Sequence, residues 1–269
     1  MAPHKARSLA RFEDHLGSVE VYELNGYRSL CFTDQPELTQ GSMSLTTELG
    51  FRAEYLKQHL TAALAAEGPE RVLCLGLGIG ALPRLLRAIW PRIEIDAVER
   101  QPAVFAAANQ YFGLRLDAHF RVHFACAETF IQRADQRHQY DLVFVDCYNG
   151  RGIAPRCANI DFYRQVSACL RKGGFLVTNV IKNRYGGREA LQSSLSILDS
   201  PWALPALERS NFTVFGHPFA KVPLANLARQ IRRIDQSRIL PFKLSQELER
   251  IVPARTLFAG RRQSQRRGL

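Results

Sequence analysis

The sequence predicts an α/β fold, a mostly parallel sheet with helices on both faces, preceded by a small β-rich hairpin region. Three observations predict it. Residues 71–75, RVLCL, are an apolar run that breaks into Gly76, Gly78 and Gly80 and restarts as the helical pattern ALPRLLRAIW. Downstream, short apolar runs and amphipathic segments alternate regularly. Upstream, two β-prone segments flank Asn25-Gly26, a two-residue hairpin signal. The 269 residues divide accordingly into an N-terminal hairpin region over 1–46, a main α/β domain over 47–240 and a basic C-terminal tail over 241–269, partly disordered.

Taken in order, SVEVYELNGYRSLCFT at 18–33 makes a hairpin too small to stand alone. It is expected to pack over the main sheet or against a partner subunit. Residues 34–46 are polar and turn-rich, and helix is expected over 47–66 with Leu49, Tyr55, Leu56, Leu60 and Leu64 as its apolar stripe. The strand at 71–75 and a helix over 80–90 form the first β-loop-α unit, ended by Pro91. Strand follows at 93–99, and a helix over 102–111 opens on a proline. A third strand at 121–125 leads to a short helix, and YDLVFVDC at 140–147 is a strongly apolar fourth strand. Helix is expected over 159–170, strand over 175–181 after Gly173-Gly174, and helix over 187–198. Segments 202–207 and 212–216 read as a closing strand pair joined by the turn ERSN, and the helix over 224–234 docks its apolar stripe on the sheet. The end, AGRRQSQRRGL, has no apolar periodicity and is expected to be disordered.

Composition narrows the function classes. Hydrophobic content of 46% and charged content of 23% fit a globular core. No apolar run approaches the roughly 20 residues of a membrane span, and MAPHKARSLARFEDH leads into no apolar segment, so the protein is expected to be cytoplasmic, with no membrane partner. The net charge of +11 is uneven: from Leu227 onward eleven Lys or Arg stand against three acidic residues. The body of the fold is only mildly basic, and nucleic-acid binding is a minor alternative resting on the tail. The six cysteines include no CxxC pair and read as free, mostly buried thiols. The seven histidines are scattered, so no metal cluster is expected.

The glycine loop gives chemistry its first foothold. Gly76 makes the tight turn, Gly78 and Gly80 let the backbone approach a ligand, and the helix N-terminus presents unpaired N–H groups. Glu99 closes the next strand, where a carboxylate can accept hydrogen bonds from both hydroxyls of a ribose; the alternative is a surface acid paired with Arg100 or Arg92. Asp146 ends the fourth strand at the carboxyl edge of the sheet, where it can orient an amine, accept its proton or face a sulfonium; the alternative is a loop cap. Tyr148 and Asn149 lie in the same loop. Cys147 has no histidine paired with it in sequence, Asp141 sits at the opposite end of the strand, and Glu128 follows the third strand, near a nucleobase or on the surface.

GLGIG, DAVER, YDLVFVDCYNG and LRKGGFLVTNV together resemble the spermidine synthase family, aminopropyltransferases built on the class I S-adenosylmethionine-dependent methyltransferase fold. YRSLCF and TQGSM ahead of a helix with Tyr55 extend the resemblance over about residues 18–220. It implies a Rossmann-like, methyltransferase-like catalytic domain and a homodimer. By resemblance, Gly76, Gly78 and Gly80 form the nucleoside-thioether loop, Glu99 holds the ribose and Gln40 lies near the thioether; Glu128 is a candidate for the nucleoside site from its place after the third strand. Asp146 with Tyr148 is the catalytic group deprotonating the attacking amine, and Tyr55 and Asn149 line the acceptor side. No tightly bound cofactor is implied; the donor co-substrate is decarboxylated S-adenosylmethionine or S-adenosylmethionine. The chain departs from the family pattern at three places. Asn149 stands where a second carboxylate is usual, Ala125-Cys126 replaces Gly-Asp, and SMSLTTELGF lacks the acidic, histidine-containing segment that helps hold a polyamine.

Three functions follow. The first is aminopropyl transfer from decarboxylated S-adenosylmethionine to a small-molecule amine, with Asp146 as the base. The second is a methyltransferase using S-adenosylmethionine on another acceptor. The third is a nonenzymatic relative that binds a nucleoside or partner, for which a filled cleft is expected.

Overall fold

The computed structural model describes residues 6–66, 68–149, 152–207 and 211–261. It is an α/β fold of the methyltransferase-like, Rossmann-like type, with a mixed central sheet and flanking helices.

The N-terminal region holds a four-stranded antiparallel meander, β1 (Arg7–Asp14), β2 (Gly17–Leu24), β3 (Tyr27–Phe32) and β4 (Gln35–Ser44). Asn25 and Gly26 both take positive φ, 51° and 79°, as a two-residue turn between twisted strands requires. The sequence reading recovered only the middle pair. Residues 35–44 form a strand rather than a polar loop, because β3 supplies a template and a kinked register absorbs the poor β-formers. The meander buries Val19, Val21 and Leu30, and β1 and β2 pack against the helix that follows Glu99.

The first helix is shorter than expected. α1 covers Glu54–Ala63, with one 3-10 turn after it, instead of 47–66. Residues 44–51 make a tight turn in which the Ser44 side chain accepts from the amides of Thr46 and Thr47, a local bond that competes with helix.

The main sheet has eight strands in the order β14-β12-β13-β11-β8-β5-β6-β7. Five are parallel: β5 (Arg71–Leu75), β6 (Glu94–Glu99), β7 (Phe120–Phe124), β8 (Tyr140–Val145) and β11 (Leu170–Ile181). Between them run α2 (Ala81–Ile89), α3 (Pro102–Tyr111), α4 (Ala127–Ile131) and α5 (Ile160–Cys169), plus a short hairpin of β9 (Tyr148–Asn149) and β10 (Gly152–Ile153). After α6 (Gly187–Ile197), β12 (Trp202–Pro205) and β13 (Asn211–Gly216) close the sheet antiparallel. Of the turn expected between them, 208–210 lie outside the described residues. Alternation along β5 shows the layering: Val72 and Cys74 face the core shared with α1, α2, α3 and α7 (Leu224–Ser237), whereas Leu73 and Leu75 face α4, α5 and α6.

The stretch from 241 to 261 is built into the fold. α8 (Ser245–Leu248) and β14 (Val252–Pro253), which pairs with β12, carry it along the sheet edge. Arg250 ties it down through Glu54, Glu247 and the Pro205 carbonyl. The tail residues 262–269 lie outside the described residues. Among the described residues no helix is long and apolar enough to cross a membrane.

Candidate active site

The carboxyl ends of β5, β6, β8 and β11 open into one cleft of about 1510 Å³, roofed by β4. Its lining joins Gln40, Tyr55, Gly76, Gly78, Glu99, Glu128, Asp146, Tyr148 and Asn149, positions spread across more than a hundred residues of sequence. Gly80 alone of the expected site residues stands outside it. Its φ of 73° starts α2, and an added Cβ would lie 2.4 Å from Leu114 Cδ1, so this glycine serves packing.

Close approach explains the other glycines. At Gly76, with φ 104°, an added Cβ would lie 2.3 Å from the Asp146 carbonyl oxygen. The Gly76 amide donates to Val98 at 2.9 Å and the Asp146 amide to Leu75 at 2.9 Å. The loop is thereby pinned between both neighbouring strands. Gly78 has φ 54° and faces the Gln40 carbonyl of β4, so the N-terminal sheet sits directly over the loop.

Glu99 joins this framework. Its Oε1 accepts from the Gln101 amide at 2.8 Å and its Oε2 from the Leu77 amide at 3.3 Å. Burial raises its pKa, opposed by these backbone bonds. A carboxylate has about four acceptor positions, so capacity remains for a hydroxyl donor beside these backbone amides and that of Arg100. Glu128, in the first turn of α4, accepts from Arg156 Nη1 at 3.3 Å at the same end of the cleft.

Asp146 is half-buried at the end of β8, beside Asn179 of β11. Parallel register sets this neighbourhood: Val145 pairs with Thr178, so the next residue of each strand lies side by side. Asn179 Nδ2 donates to Asp146 Oδ1 at 2.8 Å. Desolvation nevertheless prevails and lifts the Asp146 pKa from 3.8 to about 6. Burial, and then the Asp146 charge, push the Tyr55 phenol well above its usual value, which keeps it a hydrogen-bond donor.

Two loop residues are committed elsewhere. The Tyr148 hydroxyl donates to the Asn179 carbonyl at 3.1 Å and accepts from the Ile181 amide at 2.6 Å, clamping the Asp146 loop to β11. Asn149 Oδ1 accepts from the Gly152 amide at 3.1 Å. The Cys147 thiol donates to the Leu75 carbonyl at 3.5 Å; its contact with Cys157 and its burial hold its pKa well above normal, so it is no ready nucleophile. Asp141, at the other end of β8, accepts from the amides of Glu70 and Arg71 and pairs with Arg171.

Sequence reasoning missed Asn179, Asn211 and Arg184, all of which line the cleft. The available signal was an amide inside the apolar strand FLVTNVI. It also missed Asp96, mid-strand in IEIDAVE, which lies at the far end of the sheet. Its carboxylate takes Arg71, Arg121, His123 and the Tyr140 hydroxyl at 2.8–3.3 Å. Burial alone would raise its pKa, but these bonds prevail and hold it at about 2.

A Rossmann-like, methyltransferase-like α/β fold with a cleft at the carboxyl ends of its parallel strands is the class that fold and site define. No family model matches the chain. It is similar to the polyamine aminopropyltransferase of Vibrio vulnificus, 30% identical over 183 residues that span 65% of this chain and 58% of that protein. It is also similar to the eEF1A lysine and N-terminal methyltransferase of Bos taurus, 28% identical over 141 residues covering 49% of this chain and 20% of that protein. Among solved structures, the spermidine synthase of Thermotoga maritima shares the fold, with a TM-score of 0.73 at 11% identity over 91% of this chain and 84% of that one. The chain spans less than two thirds of the length of either curated relative, and its likeness reaches a polyamine aminopropyltransferase and a methyltransferase alike.

Proposed function

We propose that the protein is a transferase that binds an adenosyl sulfonium and moves its aminopropyl group from decarboxylated S-adenosylmethionine to an amine. The observation that carries this reading is Asp146, a carboxylate with a pKa of about 6 in the same cleft as the glycine loop and Glu99. Glu99 would accept both ribose hydroxyls, with Gly76 and Gly78 letting the nucleoside approach the backbone. Gln40 would sit over the thioether and Glu128 near the base. Asp146, ionised above pH 6, would take the proton from the acceptor. The freed nitrogen pair then attacks the aminopropyl carbon, the C–S bond breaks, and sulfur keeps its electron pair as neutral methylthioadenosine. Alignment supplies most of the gain, since a sulfonium is already an activated leaving group. Tyr148 would act as a positioning residue for the Asp146 loop.

The second reading is methyl transfer from S-adenosylmethionine, supported by the likeness to the bovine methyltransferase. The open cleft counts against a nonenzymatic relative. Calorimetric titration with methylthioadenosine, decarboxylated S-adenosylmethionine and S-adenosylmethionine separates these readings. Tight binding of the decarboxylated donor and release of methylthioadenosine on adding amine is the expected result. Selectivity for S-adenosylmethionine favours methyl transfer, and binding of none of the three sinks both.

A further inference from the structure

We propose, building on the transferase reading above, that the acceptor is an amine carrying a carboxylate rather than a polyamine, its amine held by Asp146 and Asn179 and its carboxylate by Arg184. The argument is one of charge and of unused hydrogen-bond capacity.

At the amine end, Asn179 is 3% exposed and lines the cleft. Its Nδ2 is spent on Asp146, and since a carboxylate only accepts, that bond fixes which way the amide faces. Asn179 Oδ1 is left buried and without a partner. A buried acceptor without a donor is costly, so one is expected when the site is filled. A primary amine meets the need, giving one N–H to Asp146 and another to Asn179.

Away from that pair the charge changes sign. The residues of this end are Tyr55, Asn149, Asn211 and Arg184, with Asp146 the single carboxylate among them. The other acids of the lining lie elsewhere: Glu99 and Glu128 at the nucleoside end, Asp34 in the β3–β4 turn. Asn211 shares this edge because it pairs with Ile181. Arg184 follows the same strand as an exposed residue of the cleft lining, its amide bonded to the Ile181 carbonyl, and its guanidinium makes no ion pair among the described residues. A second ammonium would meet this guanidinium with no carboxylate to offset it, whereas a carboxylate matches its fork.

The test uses two acceptors with the same four-carbon chain, 1,4-diaminobutane and 4-aminobutanoate, titrated by calorimetry into protein saturated with methylthioadenosine. We expect 4-aminobutanoate to bind at least tenfold more tightly. Arg184→Ala should remove most of that preference, with methylthioadenosine affinity reporting that the variant is folded, and Arg184→Lys should restore part of it. Asn149→Asp, which returns a carboxylate to the loop, should move the ratio toward the diamine. Equal or tighter binding of the diamine by the nucleoside-loaded protein, binding of neither amine, or an unmoved ratio in Arg184→Ala overturns this proposal alone. Failure of methylthioadenosine to bind overturns the donor reading and this proposal with it.

Discussion

Two aspartates of the same sheet, on strands separated by β5, titrate in opposite directions because their surroundings differ. Asp146 has few donors and a folded pKa of about 6, above its ordinary 3.8. Its ionisation therefore opposes folding: stability falls as pH rises between those two values, and the cost is fully present above pH 6. Asp146→Asn should raise Tm at pH 8, by roughly 1–3 kcal/mol of stability, and give no gain below pH 4. The same substitution should cut turnover at least a hundredfold while changing methylthioadenosine affinity less than threefold. Undiminished turnover would remove Asp146 from the mechanism. In the unmodified protein, kcat should climb through about pH 6 as the carboxylate ionises. Asp96 behaves inversely. Its pKa of about 2 means its pairing stabilises the fold above the unfolded value of 3.8 and is lost as pH falls through 2. Asp96→Asn should cost about 3 kcal/mol in urea unfolding at pH 7, because four cationic or polar neighbours share that carboxylate. Asp146 is legible in the sequence because it ends an apolar strand where ligands gather. Asn179 and Asp96 are not, because a polar residue inside an apolar strand shows nothing of its partners until the register is known.

Among elements, the glycine loop has the least freedom. Gly76→Ala would drive a methyl group into the Asp146 carbonyl and force a side chain into φ 104°. The expected result is loss of methylthioadenosine binding with a marked drop in Tm; retained affinity would show that the β5–β8 contact yields more easily than its spacing implies. Elements with strong periodicity are legible to the residue, as α3 at Pro102–Tyr111 shows. β4 and the start of α1 are not. A polar segment with a proline becomes a strand only because β3 lies beside it, and residues before Glu54 are kept from helix by the bonds around Ser44. In both places tertiary context overrides local propensity.

At the scale of the whole molecule, charge and chain ends divide differently from what composition suggests. Much of the basic excess after Leu227 lies in α7 and in the segment that reaches β14, and Arg250 there is a structural cation. Arg250→Ala should lower Tm by a few degrees, about 1–2 kcal/mol, since Glu54, Glu247 and the Pro205 carbonyl lose a shared donor. An unchanged Tm would mean that β14 is held by its pairing with β12 alone. The cleft, too, belongs to no single segment: its walls draw on Leu16 near one end of the chain and Asn211 far along it. That has a consequence for synthesis. A chain emerging from the ribosome makes the roofing meander first, yet the pocket beneath has no far wall until β13 is threaded beside β11. A ligand of this cleft would therefore report when a nascent chain has finished folding, and would not help the early steps along.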